Sequence, residues 1–458
     1  MRSVIVVGAG CFGAWTAYCL ARTGHTVTLV DAYGTANSRA SSGGETRIIR
    51  MGYGAQEIYT RWSWRSLGLW KSLFERAAAP SLFRETGVLW MAREADPLTT
   101  ATIATLERVG VPHERLSRAQ LESRWPQIDF GPIVWAIHEP ASGVLLARRA
   151  VEALVREAVR AGVRYAGAVV EPPAFARTSR PASYGAAGPA FARTSRPASY
   201  GAAGPASART SRPASYGAAG PASARASRPA SNGAAGSART SRKANDDGAS
   251  LRIGHGRIEA VSTRSGETIG GDTFVFACGA WLPKLFPDLL GGRIFPTRQE
   301  IVYVGPPAGD ARFAPPALPA WIDFGDEMYG IPDIEARGFK ISLDRHGPAF
   351  DPDAGDRVAG ETFSAVRAYL AQRFPALSDA PVTAAEVCQY ENTCNGDFLI
   401  DRHPDLANVW LVGGGSGHGF KHGPAVGEYV VRLITEGATP DERFQLATKQ
   451  SVQMRTVF

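Results

Sequence analysis

Val4-Ile-Val-Val-Gly-Ala-Gly-Cys-Phe-Gly13 runs an unbroken aliphatic stretch straight into a G-x-G-x-x-G turn, and no other part of the chain restricts the fold as tightly. Four adjacent aliphatic residues read as a strand buried on both faces. A helical pattern follows from Ala14 to Arg22, then a second strand, Val27 to Val30, which ends at Asp31. Gly8 permits a tight turn, Gly10 lets a pyrophosphate approach the backbone around Cys11 and Phe12, and Gly13 lets helix and strand pack closely. Asp31 falls at the spacing where a carboxylate meets a ribose hydroxyl. Strand, glycine turn, helix, second strand and acid in this order predict an α/β fold with a Rossmann-like dinucleotide-binding domain.

A second glycine-rich turn lies near the far end. Phe398-Leu-Ile-Asp-Arg-His-Pro precedes the strand Val409-Trp-Leu-Val, and Gly-Gly-Gly-Ser-Gly-His-Gly-Phe-Lys421 follows it, with a helical stretch from Ala425 to Leu433. Gly415, Gly417 and Gly419 let backbone N–H groups approach a ligand, and the next helix presents its positive end. That arrangement suits a ligand that becomes negative during reaction. A nicotinamide-only dehydrogenase has no evident use for this second loop.

Between these ends the chain alternates strands and helices. Helices are expected at 56–76, 98–109, 118–125, 151–159 and 361–374, and strands at 87–91, 163–170, 251–253, 273–276, 295–305 and 339–343. Residues 1–85, 141–173, 249–290 and 386–458 are assigned to a discontinuous dinucleotide domain. Residues 86–140 and 291–385 are assigned to an interleaved α+β substrate domain on a mixed or antiparallel sheet. Residues 174–248 carry a sixteen-residue repeat that begins at Phe175 and recurs at Phe191, Ser207 and Ser223. It has no apolar periodicity from which to build a core, so it reads as a disordered insertion in a surface loop.

The net charge of +7 does not indicate a nucleic-acid partner. Residues 174–243 hold ten Arg, one Lys and no acid, which leaves the rest of the chain at −4. Five scattered cysteines give no disulfide framework, and no run reaches transmembrane length. The glycine turn begins too early for a secretory leader. These features predict a cytoplasmic protein without a membrane partner, and no metal-ligand pattern stands out.

Four blocks resemble monomeric sarcosine oxidase and its relatives in the D-amino-acid-oxidase-like FAD superfamily: the N-terminal fingerprint, Glu45-Thr-Arg-Ile-Ile-Arg50, Ala277-Cys-Gly-Ala-Trp281, and Val387-Cys-Gln-Tyr390 through Lys421. The resemblance spans the chain apart from 174–248. It implies an FAD enzyme, acting as a monomer, that oxidises a C–N bond of an amino acid and passes electrons to dioxygen. Gly279 and Trp281 join the implied cofactor-binding residues. Arg50 and Lys421 match the pair that holds the substrate carboxylate, and Lys421 also borders the cofactor. Arg47 matches an arginine beside the flavin ring, and Lys340 the lysine that assists dioxygen reduction. Tyr329 and Tyr390 match aromatic residues of the substrate cavity. Cys388 stands where FAD is attached through a thioether.

Two departures bear on the substrate rather than on the reaction class. Relatives carry histidines just before the Arg47 block, where this chain has Ser42, Gly43 and Gly44. The histidine expected four residues after Lys340 is Asp344, with His346 two places further. The expected reaction is oxidation of a sarcosine-like N-methyl or cyclic amino acid to an imine with release of hydrogen peroxide. Two other readings stay open at this point. One is a flavin-dependent dehydrogenase passing electrons to a quinone or carrier protein. The other is a non-catalytic flavin- or polyanion-binding protein.

Overall fold

The side chains of Val4 to Val7 are buried because their strand, Ser3–Val7, lies within a six-stranded sheet rather than at its edge. The computed structural model describes residues 1–94, 96–173, 256–355 and 358–454. The strand order in this sheet is Leu399–Arg402, Val409–Gly413, Thr273–Phe276, Ser3–Val7, Thr26–Asp31 and Arg164–Gly167. All neighbours are parallel except the first two. Parallel neighbours on both sides account for the continuous aliphatic run Val4 to Val7, since helices cover the faces of such a sheet.

Helix Cys11–Arg22 packs against Ala147–Arg160 and Gly423–Glu436, and Glu57–Arg76 packs on the last two. The contact between Cys11–Arg22 and Gly423–Glu436 is close. A β-carbon at Gly427 would stand 2.8 Å from the Trp15 backbone, so only glycine admits this approach. The N-terminal and C-terminal glycine turns are thereby brought to one end of the sheet.

An eight-stranded sheet carries the other half of the molecule. Its order is Val382–Thr393, Ile294–Val304, Phe339–Leu343, Met328–Ile331, Ala320–Asp323, Val88–Ala92, Trp135–Glu139 and Glu114–Ser117. Only the pair Ala320–Asp323 and Val88–Ala92 is parallel. Leu89, Met91, Trp321, Phe339 and Phe374 pack one face of it into a separate core. A short sheet of Arg47–Ile49, Gly143–Leu145 and Phe83–Arg84 carries Arg47, the first arginine of the block at residues 45–50.

Several element boundaries differ from those read in the sequence. The first helix starts at Cys11 rather than Ala14, because Gly10 is its extended N-terminal flank and the fingerprint residues form its first turn. The helix expected from Val151 begins at Ala147, and the last long helix extends over Gly423–Glu436. Val382–Thr393 is a twelve-residue strand that the sequence patterning did not suggest. Its early residues are exposed on one edge, which blurs the apolar alternation. Residues 386–393, grouped above with the dinucleotide half, form the end of this strand in the eight-stranded sheet. The repeat at 174–248 and the strand expected at 251–253 lie outside the described residues.

Candidate active site

A cavity of about 380 Å³ opens where the two glycine turns meet. Gly8, Gly10, Cys11, Phe12, Asp31, Gly279, Trp281, Gly415, Gly417 and Gly419 all line it. A β-carbon at Gly10 would find nothing nearer than Ser42 Oγ at 3.5 Å, so the protein itself leaves room there. Gly13 is different: it does not line the cavity, and a β-carbon on it would sit 1.9 Å from the Gly8 carbonyl oxygen. Space at Gly10 beside the first-turn N–H groups of a helix could cradle a diphosphate. Asp31 accepts from the N–H of Ala9 (2.7 Å) and of Tyr33 (2.9 Å), and burial raises its carboxyl above the usual range. The Trp281 indole donates to Asp353 at 2.7 Å and lies 5.5 Å from the Tyr33 ring. Cys11 donates its S–H to the Phe420 carbonyl, and Phe12 meets Phe398 edge to face, tying the two turns together. The residues present fit an extended dinucleotide such as FAD.

A smaller cavity of about 80 Å³ adjoins, sharing Arg47, Tyr390, Ser416, Gly417 and Phe420 with the first. Arg50, Tyr329, Lys340, Cys388 and Lys421 line it as well, so residues up to 374 positions apart converge here. Arg50 is 7% exposed and forms no ion pair among the described residues. Its guanidinium lies between the rings of Tyr53 (4.4 Å) and Trp90 (4.6 Å) and donates to the Gly52 carbonyl. Lys421 is buried in a short turn ahead of the last helix, donating to Tyr53 Oη at 2.8 Å and to the His418 carbonyl at 3.0 Å. Two cations on one small cavity, one of them without a carboxylate, suit a ligand that brings its own.

Arg47 does not pair with Glu45, which binds Arg148 and Arg337 instead. It donates to the carbonyls of Thr46 (2.8 Å) and Ser41 (2.6 Å) and to Cys388 Sγ (3.3 Å). Lys340, 1% exposed, donates to the Thr46 carbonyl at 2.9 Å and to Thr46 Oγ1 at 3.3 Å. Burial, reinforced by Arg47, pulls its ammonium down to about 7. Burial likewise raises the phenols of Tyr329 and Tyr390, so both are neutral donors near neutral pH. Asp344 and His346 both line this cavity, and His346 Nδ1 lies 3.0 Å from Gln453 Nε2.

Four further residues organise the site without having stood out in the sequence. The Tyr53 hydroxyl lies 2.8 Å from His422 Nε2 and 3.3 Å from His418 Nδ1 while accepting from Lys421. Burial, then Lys421 and Arg50, hold His422 well below its ordinary value, so it is neutral. Glu139, fully buried, takes the N–H groups of Met51 and Gly52 at 2.8 Å each and the Trp90 indole at 2.7 Å. That carboxylate fixes the turn after Arg50 and one ring of its aromatic clamp. Glu391 reaches the wall of the larger cavity from the strand that also carries Cys388 and Tyr390. No local pattern marks these residues: Glu391 stands in the polar run Gln389 to Thr393, His422 directly follows Lys421, and Glu139 directly follows His138.

Comparison with known proteins accords with this geometry. The profile of the family described as FAD dependent oxidoreductase (DAO) matches residues 3–171 and 244–433. The monomeric sarcosine oxidase of Bacillus sp. (strain NS-129) is 27% identical over 450 residues, covering 95% of this chain and 93% of that protein. The N-methyl-L-tryptophan oxidase of Salmonella arizonae is 24% identical, covering 94% of each chain. The crystal structure of L-proline dehydrogenase from P. horikoshii superposes with a TM-score of 0.68 at 20% identity, covering 97% of this chain and 96% of that one. With both glycine turns on one cavity and the family match running through them, the chain belongs to the DAO family of FAD-dependent oxidoreductases.

Proposed function

We propose that the enzyme oxidises the C–N bond of a small secondary amino acid, an N-methyl or cyclic one, to the imine, with dioxygen reduced to hydrogen peroxide. The observation that carries this reading is Arg50, buried between two rings, without a carboxylate partner among the described residues, and lining one small cavity with Lys421. Arg50 and Lys421 hold the substrate carboxylate, which directs the carbon beside nitrogen toward the larger cavity. FAD, when bound, accepts the electron pair leaving that carbon and passes it to dioxygen. Arg47 and Lys340 keep positive charge at the seam between the two cavities, where negative charge develops. Tyr329 and Tyr390 bound the substrate as neutral walls, and an amine that binds deprotonated needs no strong base. Cys388 attaches the cofactor through its sulfur.

In this reading the six-stranded sheet and its helices hold the cofactor, and the eight-stranded sheet supplies the substrate side. The name of the Bacillus relative supports a monomer. Among the described residues no helix is long and apolar enough to cross a membrane; we place the enzyme in the cytoplasm. The test is anaerobic mixing with sarcosine, other N-methyl amino acids, proline and pipecolate while visible absorbance is followed. At least one should bleach the protein and yield peroxide on admitting air. A yellow protein that none of them bleaches would sink the substrate assignment and leave FAD binding intact.

A further inference from the structure

Glu391 is a carboxyl group that the reaction above does not use. It is 8% exposed, near the end of the strand Val382–Thr393, and opposite Pro296. Its Oε1 accepts the Gly415 N–H at 3.1 Å, which leaves that oxygen served by the C-terminal glycine turn. Among the described residues Oε2 has no hydrogen-bond partner, and it lies at the wall of the dinucleotide cavity. A β-carbon at Gly279 would stand 2.7 Å from Oε2, so the oxygen rests against the second turn lining the same cavity. A buried polar atom left unpaired is destabilising, and such atoms in native proteins have a partner in the great majority of cases.

We propose that Glu391 binds the cofactor as a neutral acid, with Oε2 carrying the proton and donating it to an acceptor of the bound dinucleotide. Charge arithmetic favours this form. Asp31, Glu171 and Asp353 line the cavity against Arg47, Arg264 and Lys284, so its lining is balanced without Glu391, and a dinucleotide brings two more negative charges in its diphosphate. An ionised Glu391 would add a further one in a poorly hydrated space. Among the described residues no cation pairs with it: the Gly279 turn presents the Cys278 thiol, the neighbouring strand Pro296, and the C-terminal turn its glycines, while Arg47, Arg264 and Lys284 line the cavity without an ion pair to this carboxyl. Burial alone lifts the carboxyl to about 7 despite the Gly415 N–H, which acts the other way. A cofactor that accepts from the protonated form raises it further, so FAD affinity falls as pH climbs above that value.

The experiment uses the full chain with Cys388→Ser, so that FAD can be removed and returned whether or not the native sulfur holds it. FAD is titrated by flavin fluorescence at about pH 6 and about pH 8.5. The Kd of this parent should rise about tenfold between them. Glu391→Gln, which keeps a neutral N–H donor, should bind equally at both values and as tightly as the parent at the lower one. Glu391→Ala should bind about tenfold more weakly at the lower pH. A flat parent, an unchanged rise in Glu391→Gln, or an unweakened Glu391→Ala would each overturn the assignment. Because the readout is cofactor binding, it is independent of the substrate reading.

Discussion

Across 341 positions of sequence, an Arg47 guanidinium nitrogen stands 3.3 Å from the sulfur of Cys388 and donates to it. The same guanidinium is also held by the carbonyls of Thr46 and Ser41, so it and the thiol have a fixed mutual position at the seam of the two cavities. If this sulfur carries the cofactor, acid precipitation of the native protein leaves the yellow colour in the pellet. With Cys388→Ser the colour moves to the supernatant, and visible absorption spectroscopy of the two fractions reads the result.

Arg50→Ala removes the cation proposed to meet the substrate carboxylate. Losing one partner of a buried, hydrogen-bonded charge pair costs about 2–5 kcal/mol, which corresponds to at least about thirtyfold in kcat/KM. Arg50→Lys keeps the charge but loses the planar fork and its stacking between Tyr53 and Trp90, so it should recover only a small part. Steady-state kinetics on the preferred amine decide. Equal kcat/KM for Arg50→Ala and the parent would remove Arg50 from substrate binding.

Lys340 is a cation below about 7 and loses its charge as pH rises through that value, since its folded-state ammonium is depressed rather than raised. If it assists electron transfer to dioxygen, reoxidation of the substrate-reduced enzyme should slow by roughly tenfold from about pH 6 to about pH 8. Lys340→Met should be slow and pH-insensitive over the same span while substrate still reduces the enzyme. Stopped-flow mixing with air-saturated buffer measures both. A Lys340→Met enzyme that reoxidises at the parental rate would favour electron delivery to a quinone or carrier protein.

Gly10 and Gly13 belong to one motif but should fail in different ways. Gly13→Ala drives a β-carbon into the Gly8 carbonyl, and overpacking of this kind costs about 1–3 kcal/mol or more, so the protein should melt several degrees lower with or without FAD. Gly10→Ala meets no protein atom closer than 3.5 Å, so the FAD-free protein should melt as the parent does while FAD affinity drops. Thermal melts with and without added FAD separate the two. A Gly10→Ala protein with parental FAD affinity would count against the cradle.

The dinucleotide half was readable from local pattern because its constraints are local. A buried parallel strand must be continuously apolar, and the turn that follows must tolerate close backbone contact, so Val4 to Gly13 declares itself within ten residues. Arg47, Arg50, Lys340, Cys388 and Lys421 were identified by resemblance, and nothing in their own spacing would have grouped them. Tyr53, Glu139 and Glu391 were not identified at all. The first works through His418, Lys421 and His422, more than 360 positions away. Glu139 works on a turn 87 and 88 positions earlier, and Glu391 on glycines in two other segments.

The N-terminal strand, turn and helix, the second glycine turn and the dinucleotide class of the cofactor follow from side-chain periodicity and backbone freedom, which act over a few neighbouring residues. Which charges lose their water, and which of them find a partner, depends on segments meeting across the whole chain. Arg50 held between two rings, Lys340 near neutrality and, among the described residues, Glu391 with one idle oxygen are consequences of that meeting. Desolvation is a property of the assembled interior, and no single stretch of polypeptide contains it.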